Sequence, residues 1–121
     1  MIKTVLVCLV ISLFAKQQSD KGILVFKTEV HDFGKIPHGQ PVTFIFSFTN
    51  KGKRPVIIFD VKPVCGCTIA EFTKVPINPN SNGLVKVTFN AASVQEFNKA
   101  IAVNTNSSSP TKYLTIKGEV Y

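Results

Sequence analysis

Cys65, Gly66 and Cys67, with Thr68 behind them, are the residues of this chain whose types and spacing could do chemistry. Two thiols separated by one glycine have three fates: a disulfide, two free thiols, or shared ligation of a soft metal. In an extended strand, residues two apart sit roughly 6.5–7 Å from each other at Cα, the limit a disulfide spans. A glycine between them can take backbone angles that shorten the distance. On this reading a Cys65–Cys67 bridge is feasible but strained, and strained bridges are the more reducible ones. Thiol–disulfide oxidoreductases prefer Cys-x-x-Cys at a helix N-terminus, where the dipole stabilises the thiolate. The shorter spacing and strand-like surroundings argue against that chemistry here.

The remaining reactive side chains do not assemble into a constellation. His31 and His38 bring the Cys/His total to the four ligands of a tetrahedral zinc site. Their spacing crosses a strand end and a proline-rich loop, and Cys-x-Cys is tighter than the usual structural pattern. No metal and no cofactor are therefore assigned; Cys65, Cys67 and His31 are the residues a metal would use. Asp32, Asp60, Glu71 and Glu96 lie in separate segments, and nothing places two of them on one face. No serine sits in a nucleophile elbow. His31-Asp32-Phe33-Gly34 reads as a turn in which Phe33 plugs the core and Gly34 bends the chain. Asn106-Ser107-Ser108 fits a glycosylation acceptor of a kind common by chance. No catalytic residue is named, and the chain is read as no enzyme.

A chain of 121 residues is one domain's worth, and 45% hydrophobic residues exclude disorder. Ten Phe and no Trp suggest a core of phenylalanine and β-branched side chains. Met1-Ile2-Lys3, the apolar run to Ala15 and the polar stretch after it have the layout of a secretory signal peptide. The expected division is a signal peptide over 1–15, cleaved between 15 and 20, and a domain over 22–121. The apolar run is too short to span a bilayer, which takes roughly 20 residues. Cys8 lies inside that run, too near the start for a lipoprotein acceptor. The 14 basic against 7 acidic residues give +7, almost all from scattered lysines, with Arg54 the single arginine. That pattern is a solvated surface, and nucleic acid is not an expected partner.

From Gly22 onward short β runs alternate with turn residues. Ile23–Val30 reads as a first strand. Val42–Thr49 puts Val42, Phe44, Phe46 and Phe48 on one face. Asn50 to Lys53 is a turn, with Lys51–Arg54 as its charged patch. Val56–Val61 is apolar on both faces, which reads as a central strand. Cys65–Thr68 falls between two apolar strands. Asn78 to Gly83 is a turn-rich connection, followed by strands over 84–90, 97–105 and Tyr113–Val120. Seven or eight strands at this spacing predict an all-β, immunoglobulin-like antiparallel β-sandwich.

Several segments together resemble the family known as domain of unknown function 1573. They are Asp32-Phe33-Gly34-Lys35-Ile36, Phe46 to Gly52, Cys65-Gly66-Cys67-Thr68, Val87-Thr88-Phe89-Asn90 and the Thr105-Asn106 pair. The resemblance runs from about Phe26 to Val120. It implies an exported bacterial immunoglobulin-like sandwich, and it implies no enzyme activity. The expected function is an exported, non-enzymatic module that binds a macromolecular partner at the envelope, in the periplasm, at the cell surface or outside the cell. Docking is expected at an open edge, with the first strand or the last, Tyr113–Val120, as the edge. The alternative is a thiol- or metal-dependent envelope protein acting through Cys65 and Cys67.

Overall fold

The computed structural model describes residues 20–121; the segment read as a signal peptide, with Cys8, lies outside them. Eight strands follow in chain order: β1 (Leu24–Phe26), β2 (Val30–Ile36), β3 (Val42–Asn50), β4 (Ile58–Pro63), β5 (Thr68–Phe72), β6 (Asn82–Phe89), β7 (Glu96–Thr105) and β8 (Thr111–Val120). They form two four-stranded sheets, in the orders β1-β3-β6-β5 and β2-β8-β7-β4. This is the expected immunoglobulin-like sandwich, with a core supplied by alternate residues of both sheets. Phe46, Phe48, Val85, Val87 and Phe89 face inward from one sheet; Ile101, Val103, Leu114 and Ile116 meet them from the other. The phenylalanine row of β3 is thus the inner face the alternation demands.

Four local expectations are corrected by the topology. The predicted first strand breaks at Lys27–Glu29, where the Thr28 hydroxyl donates to the Val30 carbonyl at 2.8 Å. Its halves belong to different sheets: β1 pairs with β3, and β2 crosses over to pair with β8. That last pairing is parallel, unlike the other strand pairs, and it places β8 inside its sheet. Tyr113–Val120 is therefore no edge, because its outer ladder is already taken by β2.

Val56–Val61 is likewise not central. The strand runs Ile58–Pro63 and forms the edge beside β7, with Phe59 as the extra residue of a bulge between Ile58 and Asp60. Phe59 is 62% exposed, so its aromatic character made an edge look buried on both faces.

Asp32-Phe33-Gly34 is a bulge within β2 rather than a turn. Phe33 and Gly34 together oppose the single residue Gly118 of β8. Gly34 adopts φ +69°, its N–H donates to Asp32 Oδ1 at 2.8 Å, and Phe33 packs against the core. The bulge brings the Gly34 carbonyl so close to Gly118 that a Cβ there would sit 2.8 Å from it.

Candidate functional site

β4 and β5 are edge strands of opposite sheets, and the chain passes directly from one to the other through Val64-Cys65-Gly66-Cys67. The link is a turn, not the strand-like segment its neighbours suggested. Pro63 closes β4, the Val64 N–H donates to the Ala100 carbonyl at 3.3 Å, and the Cys67 carbonyl accepts from Asn90 N at 2.9 Å. Those two anchors hold the turn to both sheets at once.

Cys65 and Cys67 are joined by a disulfide with their Cα atoms 5.3 Å apart. The turn draws the cysteines well inside the 6.5–7 Å expected of a strand, so the separation lies in the ordinary disulfide range. Gly66 contributes no left-handed backbone, and a Cβ at that position would meet nothing within 4 Å beyond its neighbours Cys65 and Cys67. Both cysteines are half-buried, and Cys67 packs against the core.

Thr68, only 5% exposed, turns its hydroxyl toward the bridge: Oγ1 lies 3.8 Å from Cys65 Sγ and 3.7 Å from Cys67 Sγ. Nothing in the sequence marked this residue beyond its place in the motif, because its burial depends on the turn. Val64 and Ile69, 66% and 67% exposed, bracket Cys65–Thr68 in the chain with uncovered apolar surface.

The bridge closes a loop of three residues. In the chain-entropy account such a loop contributes about 1.6 kcal/mol, roughly half of what a loop of about 15 residues gives. Replacing both cysteines by serine is therefore expected to lower the melting temperature by no more than about 10 °C in calorimetry. A loss above roughly 3 kcal/mol would instead make the bridge a principal staple of the fold.

The other residues singled out from the sequence are placed apart from this turn. His31 stacks on Phe44 at 3.7 Å between ring centroids and meets Phe33 edge-on at 4.6 Å. His38 Nε2 is 3.0 Å from the Ala92 carbonyl. Among the described residues no three His, Cys, Asp or Glu side chains gather as a metal would require. The register does place one pair of carboxylates together, Glu96 opposite Glu119, where the sequence suggested none. Both are exposed, and Lys35 lies across from Glu119 on the next strand. Asn106 of the glycosylation motif accepts from Ile57 N at 2.8 Å, so its amide is engaged in the fold. At the charged turn, the Arg54 guanidinium bonds Asp20 at 2.9 Å and holds that exposed carboxyl below its usual range.

A family described as "Protein of unknown function (DUF1573)" matches residues 24–120. The chain belongs to the DUF1573 family. The disulfide turn, both sheets and the β2 bulge all fall within the matched residues of this DUF1573 domain. A protein of unknown function from Porphyromonas gingivalis W83 is similar to it at 18% identity and a TM-score of 0.74, over 88% of this chain and 50% of that one. PapD-like domain 7 of human CEP192 is similar at 9% identity and 0.67, over 87% and 89% of the two chains. The secreted serine protease VesC of Vibrio cholerae aligns at 12% identity and 0.59, over 92% of this chain and 25% of that one. This chain thus spans about half of the Porphyromonas protein and about a quarter of the protease. At these identities the likeness shows a shared fold. No curated protein sequence matches the chain.

Proposed function

We propose that this DUF1573 domain is an exported, non-enzymatic module that binds a macromolecular partner along the side of the sandwich where β4 and β5 lie. The observation that carries this reading is the uncovered apolar character of that side. Phe59 near the start of β4, Val64 after its end, Ile69 in β5 and Val75 beyond it are all more than half exposed. Two open edges, each carrying exposed apolar side chains, suit a partner that adds a strand or lays an extended segment along one of them. Tyr113 in β8, Val94 between β6 and β7, and Tyr121 after β8 are also more than half exposed, lie outside β4, β5 and the segments adjoining them, and fit the ordinary scatter of surface apolar groups. Export rests on the signal-peptide layout of Met1–Ala15, and a disulfide suits an oxidising compartment. No helix of the described residues is long and apolar enough to cross a membrane.

The test is photo-crosslinking in the host from residue 59 or 69, with residue 30 on edge strand β2 as control, followed by cell fractionation. A discrete adduct from 59 and 69 but not from 30, found in the exported fraction with a mature N-terminus between 15 and 20, is the expected result. Equal labelling from all three positions, or an unprocessed cytoplasmic protein, would overturn the proposal.

A second reading, a thiol-dependent envelope protein acting through Cys65 and Cys67, is favoured by one specific observation. The bridge closes too small a loop to contribute much stability, yet a buried hydroxyl is aimed at both of its sulfurs.

A further inference from the structure

We infer that Cys65–Cys67 is a thiol–disulfide exchange site for a polypeptide dithiol, with Cys65 as the sulfur attacked, Cys67 as the leaving thiolate and Thr68 as the residue that holds it. The inference rests on the thiol-dependent reading and assigns its substrate class and the role of each group. It is also compatible with docking, because exchange consumes one bridge per partner and needs no turnover.

Three features of the turn assign the roles. Cys67 packs against the core while Cys65 does not, so the open approach is to Cys65 Sγ. Gly66 places no side chain over the bridge, and a Cβ there would meet nothing within 4 Å beyond the two cysteines beside it, so the rest of the protein leaves an incoming thiol room at the turn. The Thr68 hydroxyl, 3.7 Å from Cys67 Sγ and 3.8 Å from Cys65 Sγ, has, among the described residues, these two weak sulfur acceptors as its side-chain partners. A neutral disulfide sulfur is a poor acceptor, whereas a thiolate makes a charge-assisted bond. The threonine therefore gains most once the bridge has opened, and because it is almost equidistant from the two sulfurs, it is the packing of Cys67 against the core that keeps Cys67 beside it. Val64 and Ile69, exposed just before and just after Cys65–Thr68 in the chain, supply apolar contact to the polypeptide that carries the thiols.

The step balances without any further oxidant. A partner thiolate attacks Cys65 Sγ, the Cys65–Cys67 bond breaks, and its electron pair leaves on Cys67 Sγ, where the Thr68 O–H donates to it. A mixed disulfide now joins Cys65 to the partner. The partner's second thiolate attacks its own sulfur in that bond and releases Cys65 as a thiolate. Two electrons pass from the partner dithiol to Cys65 and Cys67, the partner leaves as a disulfide, and the two thiol protons end on the two cysteines.

The experiment treats the full chain with millimolar reduced glutathione, quenches with acid, alkylates and reads intact mass, with circular dichroism recorded alongside. The expected result is opening of the bridge while the sandwich stays folded. With oxidised glutathione, the Cys67→Ser variant is expected to accumulate a mixed disulfide at Cys65 several-fold faster than Cys65→Ser does at Cys67. A Thr68→Val substitution is expected to slow opening of the wild-type bridge roughly tenfold. In the Cys65→Ser background it should also raise the midpoint of the Cys67 alkylation profile by about one pH unit. A midpoint that does not move means Thr68 is only structural, which overturns its assigned role. A bridge that resists glutathione while the protein remains folded overturns both the inference and the thiol-dependent reading. Ready opening with equal adducts at the two positions overturns the role assignment and leaves that reading standing.

Discussion

Replacing Asn50 with alanine is expected to destabilise the domain by about 4 kcal/mol, a fall in melting temperature of roughly 15–30 °C. Asn50, at the end of β3, is fully buried. Its side chain uses all of an amide's donor and acceptor capacity on backbone groups. Oδ1 accepts from Ile23 N at 3.1 Å and Gly52 N at 2.9 Å, and Nδ2 donates to the Arg54 carbonyl at 2.8 Å and the Ile77 carbonyl at 2.9 Å. Its own backbone bonds Ser81 and Asn80. One residue thus ties the entry to β1, the turn after β3 and the connection before β6. Alanine would leave the Ile23 and Gly52 N–H groups and the Arg54 carbonyl without this partner, and the buried Ile77 carbonyl with Val56 N alone; an unmet buried group costs about 1–3 kcal/mol. Thr49→Ala is the control: its hydroxyl bonds Asn82 at 2.7 Å on the exposed side, so the loss should stay below about 1 kcal/mol. Denaturant titration decides, and an Asn50→Ala loss under roughly 1.5 kcal/mol would mean that water replaces the amide.

Gly83→Val is expected to cost about 3 kcal/mol, with a visible fall in expression of folded protein. Gly83 faces Phe48 across the β3–β6 ladder, and the ring covers the space above it. A Cβ at residue 83 would lie 2.7 Å from Phe48 Cε2 and closer still to Cζ. Phe48 is itself buried and leans on Phe26 at 5.1 Å, so it has nowhere to retreat. A ring laid over a cross-strand glycine is a known way to shield exposed backbone. The two sites should couple: Phe48→Val alone opens a cavity, and combining it with Gly83→Val should recover at least about 1 kcal/mol of the summed losses. Additive losses would show that the strain lies in the backbone instead. Gly66→Ala serves as the contrasting control, expected within about 0.5 kcal/mol of wild type.

Neither Asn50 nor Gly83 was legible beforehand. Each sits beside a run of turn residues and reads as part of it, since asparagine and glycine favour turns for local reasons. Their weight in the fold comes from neighbours up to 35 residues away, Phe48 for Gly83 and Ile77 for Asn50 among them. The candidate site shows the same division. The sequence marked Cys65 and Cys67 as the one pointed feature, and the resemblance to DUF1573 is matched over residues 24–120. It did not mark Thr68 as the hydroxyl beneath the bridge, because a threonine next to a motif carries no sign of where its oxygen will turn.

What the sequence by itself determined was the class of fold and the inward face of most strands. Alternation in β3, β6 and β8 admits one orientation, since a shift of one residue would expose Phe46, Val85 or Leu114 to water. What only the tertiary structure decided was which strands are edges, because that depends on pairings between segments far apart in the chain. β2 leaves β1's sheet and covers β8, so the last strand is shut inside. Phe59 bulges outward from β4, so a strand apolar on both faces stands at the rim. The open side, and with it the setting of the disulfide turn, follows from those long-range pairings, which local residue preferences do not encode.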